Sequence, residues 1–433
     1  MTNPSTPSVV LIEGLRSPFR RSGTDYLDLI SYDLARGVLK SLLNRTGLKA
    51  SEVDQVIMGT VAQHVMTSNV ARDAALAAGF PNTVTAHTVT QACISANQAI
   101  CSGMAAILTG QADTVIAGGT EILSDVPIGF KKEARKRFFE SRKYQKPWDY
   151  LQFFKGLKLS DLAPQAPAIA EFSTGESMGE SADKLAAMFQ ISREGQDSFA
   201  LRSHQNAARA SREGKLSDVE PMAFAPGFRV LEQDNTFRED SSLEKLAALK
   251  PVFSKPFGTV TAGNASPLTD GAAATLIMRE DKALALGFKP KAYLRQYTFV
   301  AQDPKDELLL GPAYATPKVL DKAKVSFKDL DVIEIHEAFA GQTLAVLAAL
   351  ESDHFAQKMG KDKAIAQGES IDMEKINRWG GSISLGHPFG ATGARLVTMA
   401  ANRLIDEGGQ LALVTACAAG GLGHAMLLER YPA

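Results

Sequence analysis

This chain contains few cysteines and tryptophans, and its positive and negative charges almost balance. Its 433 residues include three cysteines and two tryptophans, and the formal net charge at pH 7 is -1. Three cysteines without a CxxC pair argue against a disulfide framework and against a zinc site. The small net charge gives no general attraction to nucleic acid or to an anionic membrane. Reduced thiols fit the cytoplasm, which is the location we expect.

Long hydrophobic runs are also missing. No uninterrupted apolar segment is long enough to span a bilayer. The polar segment 1–7 lacks the basic and apolar regions of a signal peptide, so we expect a short flexible tail there. With 45% hydrophobic and 22% charged residues, the composition is that of a soluble globular protein. The length suits two or three domains.

Short apolar runs alternate with helical patterns along the chain. Helical patterns such as 31–43 and 94–108 lie between runs that are typical of buried strands. These runs are 9–12, 53–58, 114–117, 273–278, 332–335, 411–415 and 425–428. The alternation predicts an α/β fold.

The two ends of the chain echo each other. An acidic cap leads into an apolar strand at 48–59 and again at 326–335. Cys93 opens a helix that leads into a further strand, and His387 precedes a helix that does the same. The echo predicts a duplicated α/β domain with pseudo-twofold symmetry.

Between the echoing parts the sequence changes in character. From about 124 to 251, strand-like runs give way to helical, charged and irregular sequence. This change predicts an inserted subdomain. Long irregular insertions in a compact fold are usually functional. A solvated helical face is an equally good interpretation of its basic run, 131–137. For the aromatic stretch 148–159, an amphipathic surface contact is one interpretation.

Cys93 follows a short β-like run and stands at the start of an apolar helix. A helix N-terminus lowers the pKa of a thiol, and its free backbone N–H groups can stabilise an oxyanion. This placement suits a nucleophile, although most free cysteines are small buried hydrophobes. Cys101, in the middle of the same helix, fits that plainer description.

His387 and Cys417 each lie in a glycine-rich loop. His387 belongs to the run GHPFGATG, and Cys417 opens the run CAAGGLG. Because glycines allow close approach of the backbone, a histidine in such a loop is well placed as a general base. A capping or core histidine is the alternative. A thiol beside converging backbone N–H groups can pass a proton to or from carbon.

Two further polar motifs complete the set. His336 and Glu337 follow an apolar strand, which is where α/β folds place active sites. Asn264 and Asp270 lie in the small-residue run GTVTAGNASPLTDG. Ordinary strand-end polarity and a structural turn are the alternatives for these motifs.

Together and in this order, the five motifs resemble those of the thiolase family, from about Arg16 to the C-terminus. The resemblance implies an α/β thiolase fold, with two duplicated α/β halves in five layers (αβαβα) and an inserted, mostly helical loop domain. The N-terminal half would comprise 1–121 and 252–290, the loop domain 122–251, and the C-terminal half 291–433.

The resemblance also implies roles, position by position. Cys93 would be the acyl-accepting nucleophile, and His387 the base that activates it and a donor to the enolate oxygen. Cys417 would be the acid/base that protonates the departing acetyl-CoA carbanion. His336 stands where many thiolases have Asn, a variant similar to the β subunits of fatty-acid β-oxidation multienzyme complexes. The backbone N–H groups of Cys93 and Ala419 would form a second oxyanion hole, although many thiolases have Gly at 419.

The implied activity is thiolytic cleavage of a 3-ketoacyl-CoA by CoA, which releases acetyl-CoA and a shortened acyl-CoA. Ser266, Met178 and Phe339 match positions that line the pantetheine channel. CoA is then a substrate, and we expect no cofactor and no metal. The His336 variant and the long insertion favour medium or long acyl chains. The alternatives are an acetoacetyl-CoA thiolase, a ketoacyl synthase and a non-catalytic acyl-CoA-binding subunit.

The resemblance also implies partners. We expect a homodimeric core and, in a hetero-oligomer, an α subunit with hydratase and 3-hydroxyacyl-CoA dehydrogenase activities. We expect no nucleic acid. The basic and aromatic residues of the insertion would grip the CoA phosphates, line an acyl tunnel, or contact a partner or, peripherally, a membrane.

Overall fold

The computed structural model describes residues 8–167, 170–366 and 370–432. The predicted N-terminal tail, 1–7, lies outside these residues. Strands β1 to β14 are, in chain order, Val9–Arg16, Arg20–Arg21, Gln55–Gly59, Thr85–Val89, Thr114–Glu121, Gly129–Phe130, Pro164–Gln165, Met222–Ala223, Val230–Leu231, Thr269–Arg279, Ala292–Ala301, Val332–Ile335, Leu411–Ala418 and Leu422–Arg430.

Helices α1 to α14 are Ser31–Thr46, Val70–Ala77, Ser95–Leu108, Lys132–Ser141, Leu151–Phe154, Met178–Met188, Arg193–Arg212, Leu243–Ala247, Glu280–Ala285, Gly311–Ala323, Ala340–Glu351, Asp353–Lys358, Ser382–Leu385 and Thr392–Asp406. Single 3-10 turns lie at Ala50–Glu52, Pro147–Tyr150, Leu159–Asp161, Phe327–Asp329 and Met373–Lys375.

The main strands follow one hydrogen-bonded path in the order β12-β13-β14-β11-β1-β10-β5-β3-β4. The path consists of two sheets with a narrow junction, because β1 and β11 pair only at Val10–Tyr293 and Leu11–Ala292. Within the sheets, β3 runs parallel to β4 and β5, and β12 runs parallel to β13. Both sheets therefore combine parallel and antiparallel pairs, as expected for an α/β fold.

Three apolar clusters stack the helices on the sheets. One cluster packs α1 against the N-terminal sheet and includes Val38 and Ile116. Another buries α3 and α14 between the sheets and includes Ile100 and Val397. A third packs α10 and α11 on the C-terminal sheet and includes Val346. The order is helix, sheet, helix, sheet, helix, which is the predicted five-layer arrangement.

Close packing in the middle layer positions the two segments with the strongest motifs. Cys93 lies just before α3, and His387 lies just before α14. Gly393 in the first turn of α14 faces Asn97 of α3, and a Cβ atom at Gly393 would collide with the side chain and backbone of Asn97. Because the two helices approach this closely, the loops in front of them meet.

The predicted strands and the echo agree with the structure, but among the nine strands of the main path one was missed and one was recognised only in part. The 3-10 turns at Ala50–Glu52 and Phe327–Asp329 precede β3 and β12, as the echo indicated. β4 was recognised only in part and β11 not at all. In β11, buried and accessible positions are mixed along YLRQYTFVA. A search for continuous apolar runs misses such a strand because its sequence alternates between polar and apolar residues.

The predicted insertion between β5 and β10 contains helices α4 to α8 and short strand pairs, β6 with β7 and β8 with β9. It is mostly helical, as expected, and the proposed boundaries 122–251 stay a prediction. No helix within residues 8–167, 170–366 and 370–432 has both the length and the apolar character needed to cross a membrane.

A buried ionic cluster fixes β12 against α14. The carboxylate of Glu334 accepts a hydrogen bond from Arg403 at 2.8 Å, and Arg395 lies 3.9 Å from its other oxygen. All three side chains are fully buried. A buried charge without its partner is strongly destabilising, since neither water nor a counter-ion compensates it.

We therefore expect Glu334→Gln to lower the free energy of unfolding by about 3–5 kcal/mol, because the buried Arg395 loses its paired carboxylate and Arg403 loses one of its two. Urea denaturation, monitored by circular dichroism, measures the free energy of unfolding. Glu407→Gln is the matched control: its partly exposed carboxylate also binds Arg403, but Arg403 then keeps Glu334 as its counter-ion, so we expect a smaller loss. An equal loss of unfolding free energy in both variants would contradict the central role of Glu334 in the ionic cluster.

Candidate active site

Four predicted site residues converge at the middle of the molecule. Cys93 follows β4, His336 follows β12, His387 precedes α14, and Cys417 lies near the end of β13. One nitrogen or sulfur atom from each of Cys93, His336 and His387 lies within 4.8 Å of the others. The two imidazole centroids are 4.0 Å apart. Cys417 is buried, and Cys93 lies close enough to it to raise the pKa of the Cys417 thiol.

A tight turn presents the thiol of Cys93. Ala92, immediately before it, has a φ of 47°, which is a left-handed conformation that an alanine seldom adopts. Ser95 fixes this turn, because its hydroxyl accepts from the N–H of Gln91 at 2.8 Å and donates to the carbonyl of Ala92 at 2.7 Å. The Cys93 thiol lies within hydrogen-bonding reach of its own N–H and that of Ala419. These are the two predicted oxyanion donors.

The ionisation of Cys93 differs from the expectation. Burial raises the pKa of its thiol to about 12, and the carboxylate of Glu121 acts in the same direction. The two backbone N–H groups lower that pKa but do not offset the burial. The thiol is therefore neutral at rest, and it would need a base to react as a nucleophile.

His387 has the form required of that base. Its Nδ1 lies 2.6 Å from the hydroxyl of Thr392, and that hydroxyl donates to the carbonyl of Pro388 at 3.0 Å. The hydroxyl proton is thus engaged, so Nδ1–H is the donor and Nε2 keeps its lone pair. Within the described chain, Nε2 has no partner. Burial, followed by His336 and Arg395, holds the pKa of His387 well below its usual value, so the ring is neutral.

Hydrogen bonds from its backbone and its ring hold His336 next to His387. Its backbone N–H donates to Thr415 of β13 at 2.9 Å, and its Nδ1 lies 2.7 Å from the hydroxyl of Ser382. Burial, with the nearby Arg395, lowers the pKa of His336 to about 3. The Nε2 atom of this second neutral ring is buried without a partner among the described residues.

Cys417 is held in front of a glycine loop. Gly420 and Gly421 have φ values of 86° and 64°, which an L side chain adopts only with strain. The N–H of Gly420 donates to Glu171 of the insertion at 2.7 Å. Burial raises the pKa of the Cys417 thiol, and the proximity of Cys93 raises it further. Cys417 therefore retains its proton, as an acid requires.

The three predicted channel residues lie beside the C-terminal part of this site. Ser266 donates its N–H to Ala338 at 3.0 Å, next to Phe339. Met178 and Phe339 pack in the same apolar cluster as Cys417. A cavity of about 560 Å³ lies nearby between α6 and the segment 254–259, and none of the residues predicted for the site lines it.

Sequence reasoning missed Glu121, the last residue of β5. Its buried carboxylate accepts backbone N–H groups from Val61 at 3.1 Å, Ala62 at 2.8 Å and Gly390 at 2.8 Å. It thereby ties the loop after β3 to the loop that contains His387. Burial raises the pKa of Glu121 to about 7. An acidic residue directly after the uncharged strand run TVIAGGT was the available signal.

Three polar residues from the predicted motifs serve to hold the chain. Glu337 accepts hydrogen bonds from Ser203 and Asn377 at 2.7 and 2.6 Å. The amide of Asn264 donates to a carboxylate of α7 at 2.9 Å. Asp270 accepts from two successive backbone N–H groups, at 2.7 and 3.0 Å. These contacts fit the structural alternative for all three.

Comparison with known proteins supports the predicted fold and family. The family models for the thiolase N-terminal domain and the thiolase C-terminal domain match residues 9–281 and 288–430. The crystal structure of the Bacillus anthracis acetyl-CoA acetyltransferase is similar with a TM-score of 0.83 and 34% identity. That similarity covers 99% of this chain and 100% of the other.

Curated relatives extend the similarity and correct one expectation. The Bos taurus mitochondrial trifunctional enzyme subunit beta is 55% identical over 100% of this chain and 90% of its own length. A probable 3-ketoacyl-CoA thiolase of Caenorhabditis elegans is 52% identical over 98% and 94%. The expected cytoplasmic location is wrong: the mammalian relatives are named as mitochondrial. Free thiols separate reducing from oxidising compartments, and they do not distinguish one reducing compartment from another.

Both halves of the chain match the family models, and the fold and its duplicated arrangement are those predicted from the motifs. The chain therefore belongs to the thiolase family.

Proposed function

We propose that this protein is a 3-ketoacyl-CoA thiolase of fatty-acid β-oxidation, an acetyl-CoA C-acyltransferase. The observation that carries the proposal is the meeting of a neutral thiol, Cys93, with a neutral imidazole, His387, whose Nε2 is free to take its proton. A second thiol and a second imidazole stand beside them. The names of the relatives from Bos taurus and Caenorhabditis elegans agree with this activity.

In the first half-reaction, Cys93 attacks the 3-keto carbon of the substrate while Nε2 of His387 removes the thiol proton. The bond between C2 and C3 then breaks, which leaves an acyl thioester on Cys93 and the enolate of acetyl-CoA. Cys417 donates its proton to C2, and acetyl-CoA departs. The raised pKa of Cys417 suits this step, because the thiol is still protonated when the carbanion forms.

In the second half-reaction, free CoA accepts the acyl group. The Cys417 thiolate removes the proton from the CoA thiol, and the resulting thiolate attacks the carbonyl carbon of the acyl thioester. The sulfur of Cys93 leaves and recovers its proton from His387, which completes the cycle. The order is ping-pong, since one product leaves before the second substrate binds.

Two sets of donors would stabilise the negative oxygens. The N–H groups of Cys93 and Ala419 adjoin the thiol, so they suit the tetrahedral oxyanion that forms when this sulfur attacks. His336, beside His387, suits the enolate oxygen of the leaving acetyl-CoA. One such donor typically contributes about 2.7–4 kcal/mol to the transition state. The route needs only these groups and CoA, so we propose no cofactor and no metal.

The finer specificity is also a proposal. His336 in place of Asn and the long insertion favour medium or long acyl chains, with Ser266, Met178 and Phe339 along the pantetheine. An acetoacetyl-CoA thiolase is the second candidate, and the acetyl-CoA acetyltransferase named for the similar crystal structure favours it. The assembly we propose is a homodimeric core with a hydratase and dehydrogenase α subunit, as the subunit name of the Bos taurus relative suggests.

The insertion supports a peripheral membrane contact. Residues 129–165 contain ten Lys and Arg against four Asp and Glu. Aromatic contacts such as Phe138 with Phe153, at 5.0 Å between centroids, join α4 to α5. Trp148, Leu151 and Phe154 nevertheless remain mostly exposed. Exposed aromatics among basic residues are typical of segments that lie on anionic lipid surfaces.

Substituting the nucleophile tests the activity. We expect Cys93→Ala to abolish acetyl-CoA release from 3-ketoacyl-CoA and CoA, because no acyl-enzyme can form, whereas Cys101→Ala keeps near-normal rates. Assays with acyl chains of about four and about sixteen carbons would compare the two candidates, since only the degradative thiolase is expected to favour the longer chain. A folded wild-type protein that cleaves neither chain, with its partner subunit present, would contradict both.

The raised pKa of Cys93 predicts the pH dependence of its alkylation. Only the thiolate reacts, and a pKa of about 12 keeps its fraction rising by about tenfold per pH unit from about pH 7 to about pH 10. Mass spectrometry after iodoacetamide treatment measures the rate, with Cys93→Ser as the control and acyl-CoA as a protecting ligand. A rate that levels off above about pH 9, as for an ordinary thiol with a pKa of about 8.5, would show that burial does not control this group.

Vesicle binding tests the membrane contact. We expect the protein to sediment with vesicles of phosphatidylcholine and phosphatidylglycerol but not with phosphatidylcholine alone. The double variant Trp148→Ala and Phe154→Ala should lose most of this binding, because it removes two exposed aromatic groups. Phe257→Ala is the matched control, since Phe257 is also exposed but lies outside the insertion. Equal binding of all variants would exclude this surface.

A further inference from the structure

We propose that Ser382 and Arg395 are positioning residues that hold His336 as the tautomer with its proton on Nε2. The ring would then always present a donor to the substrate oxygen and never a lone pair. The inference rests on the proposed function for its catalytic meaning. The tautomer itself is a property of the resting protein and does not depend on that function.

The argument begins with Arg395, which lies in the first turn of α14. Its Nη2 donates to the hydroxyl oxygen of Ser382 at 2.8 Å, and both side chains are fully buried. A guanidinium group has only donors and keeps its charge at any accessible pH. The oxygen of Ser382 is therefore the acceptor in this contact, and its single proton must point elsewhere.

The second step concerns where that proton goes. Among the described residues, the other side-chain partner of the Ser382 hydroxyl is Nδ1 of His336, at 2.7 Å. If Nδ1 carried a proton, two donors would meet at one oxygen, and the hydroxyl proton would be buried without an acceptor. The Nε2 lone pair of His336 would then be unpaired as well, whereas a proton on Nε2 leaves that atom as the single unpaired one of the two groups. Each buried polar group left unpaired is costly. The hydroxyl thus donates to Nδ1.

The third step follows from the neutral imidazole, which carries one proton on its two nitrogens. With Nδ1 acting as an acceptor, the proton of His336 resides on Nε2. That atom is buried and has no partner in the described part of the chain. It is a donor without an acceptor, at the point where His336 adjoins His387. The positive charge of Arg395 also opposes a second proton on this ring.

His387 provides an internal comparison. Its Nδ1 also faces a hydroxyl, that of Thr392, but the hydroxyl proton is taken by the carbonyl of Pro388. That hydroxyl therefore accepts from the ring. Because Arg395 donates to Ser382, the Ser382 hydroxyl donates to its histidine. Because Pro388 accepts from Thr392, the Thr392 hydroxyl accepts from its own. Two imidazoles 4.0 Å apart are thereby fixed as one donor and one acceptor.

A double-mutant cycle distinguishes control of the His336 tautomer from a purely structural packing role. We expect Ser382→Ala to lower kcat for thiolysis about 10–100-fold, with KM changed by less than about twofold. In a His336→Asn background the same substitution should cost less than about threefold, because an amide has a donor without any choice of tautomer. Ser382→Thr keeps the hydroxyl and should restore most of the rate.

An equal loss in both backgrounds would overturn the proposal, since it would mean that Ser382 acts on packing alone. Thermal unfolding of every variant checks that it is folded.

Nitrogen NMR of wild-type protein with ¹⁵N-labelled histidine tests the tautomer without any assay. The His336 signals, identified by their loss in His336→Asn, should show a protonated Nε2 and an unprotonated Nδ1. A protonated Nδ1 would overturn the proposal even in an active enzyme. If the tautomer is as expected but the protein is inactive, the positioning role stands and only the proposed function is refuted.

Discussion

The close contact between α3 and α14 in the middle layer determines the geometry of the site. Gly393 allows the backbones to approach at Asn97, and the loops that precede the two helices consequently meet. Neither loop shapes the site alone: Cys93 comes from the N-terminal half, and His387 from the C-terminal half. Glu121 then joins the loop of His387 to the loop after β3 through hydrogen bonds to backbone N–H groups. The positions of the reacting atoms thus depend on one helix contact and one buried carboxylate.

Burial sets the protonation of the same groups. It raises the pKa of both thiols and lowers that of both imidazoles, so all four are neutral at rest. A neutral thiol beside a neutral base avoids the cost of a buried ion pair when no substrate is bound. Charge then develops only during the reaction, when fixed hydrogen-bond donors stabilise it. The site gives up a permanently reactive thiolate and gains a nucleophile that depends on its base.

The fold and the main residues of the site were predictable because each has a local signature. Apolar runs predicted most strands, and glycine-rich loops singled out His387 and Cys417. The low pKa expected for Cys93 was wrong, because a sequence shows proximity to a helix but does not show burial. The contacts of Glu121, Ser382 and Arg395 were equally hidden, since each joins segments far apart in the chain. Glu337 and Asp270, although they lie in recognisable motifs, turned out to bind the surrounding chain.

The duplicated halves use one structural position for two different purposes. The loop in front of the middle-layer helix carries Cys93, the proposed nucleophile, in one half and His387, the proposed base, in the other. The backbone joins the two sheets through only two residue pairs, so the alignment of these loops is maintained chiefly by side chains packed between the sheets. The two halves thus place different chemical groups at equivalent positions. Neither half retains a complete chemistry that it could perform by itself, and substitutions at equivalent positions no longer have equivalent effects.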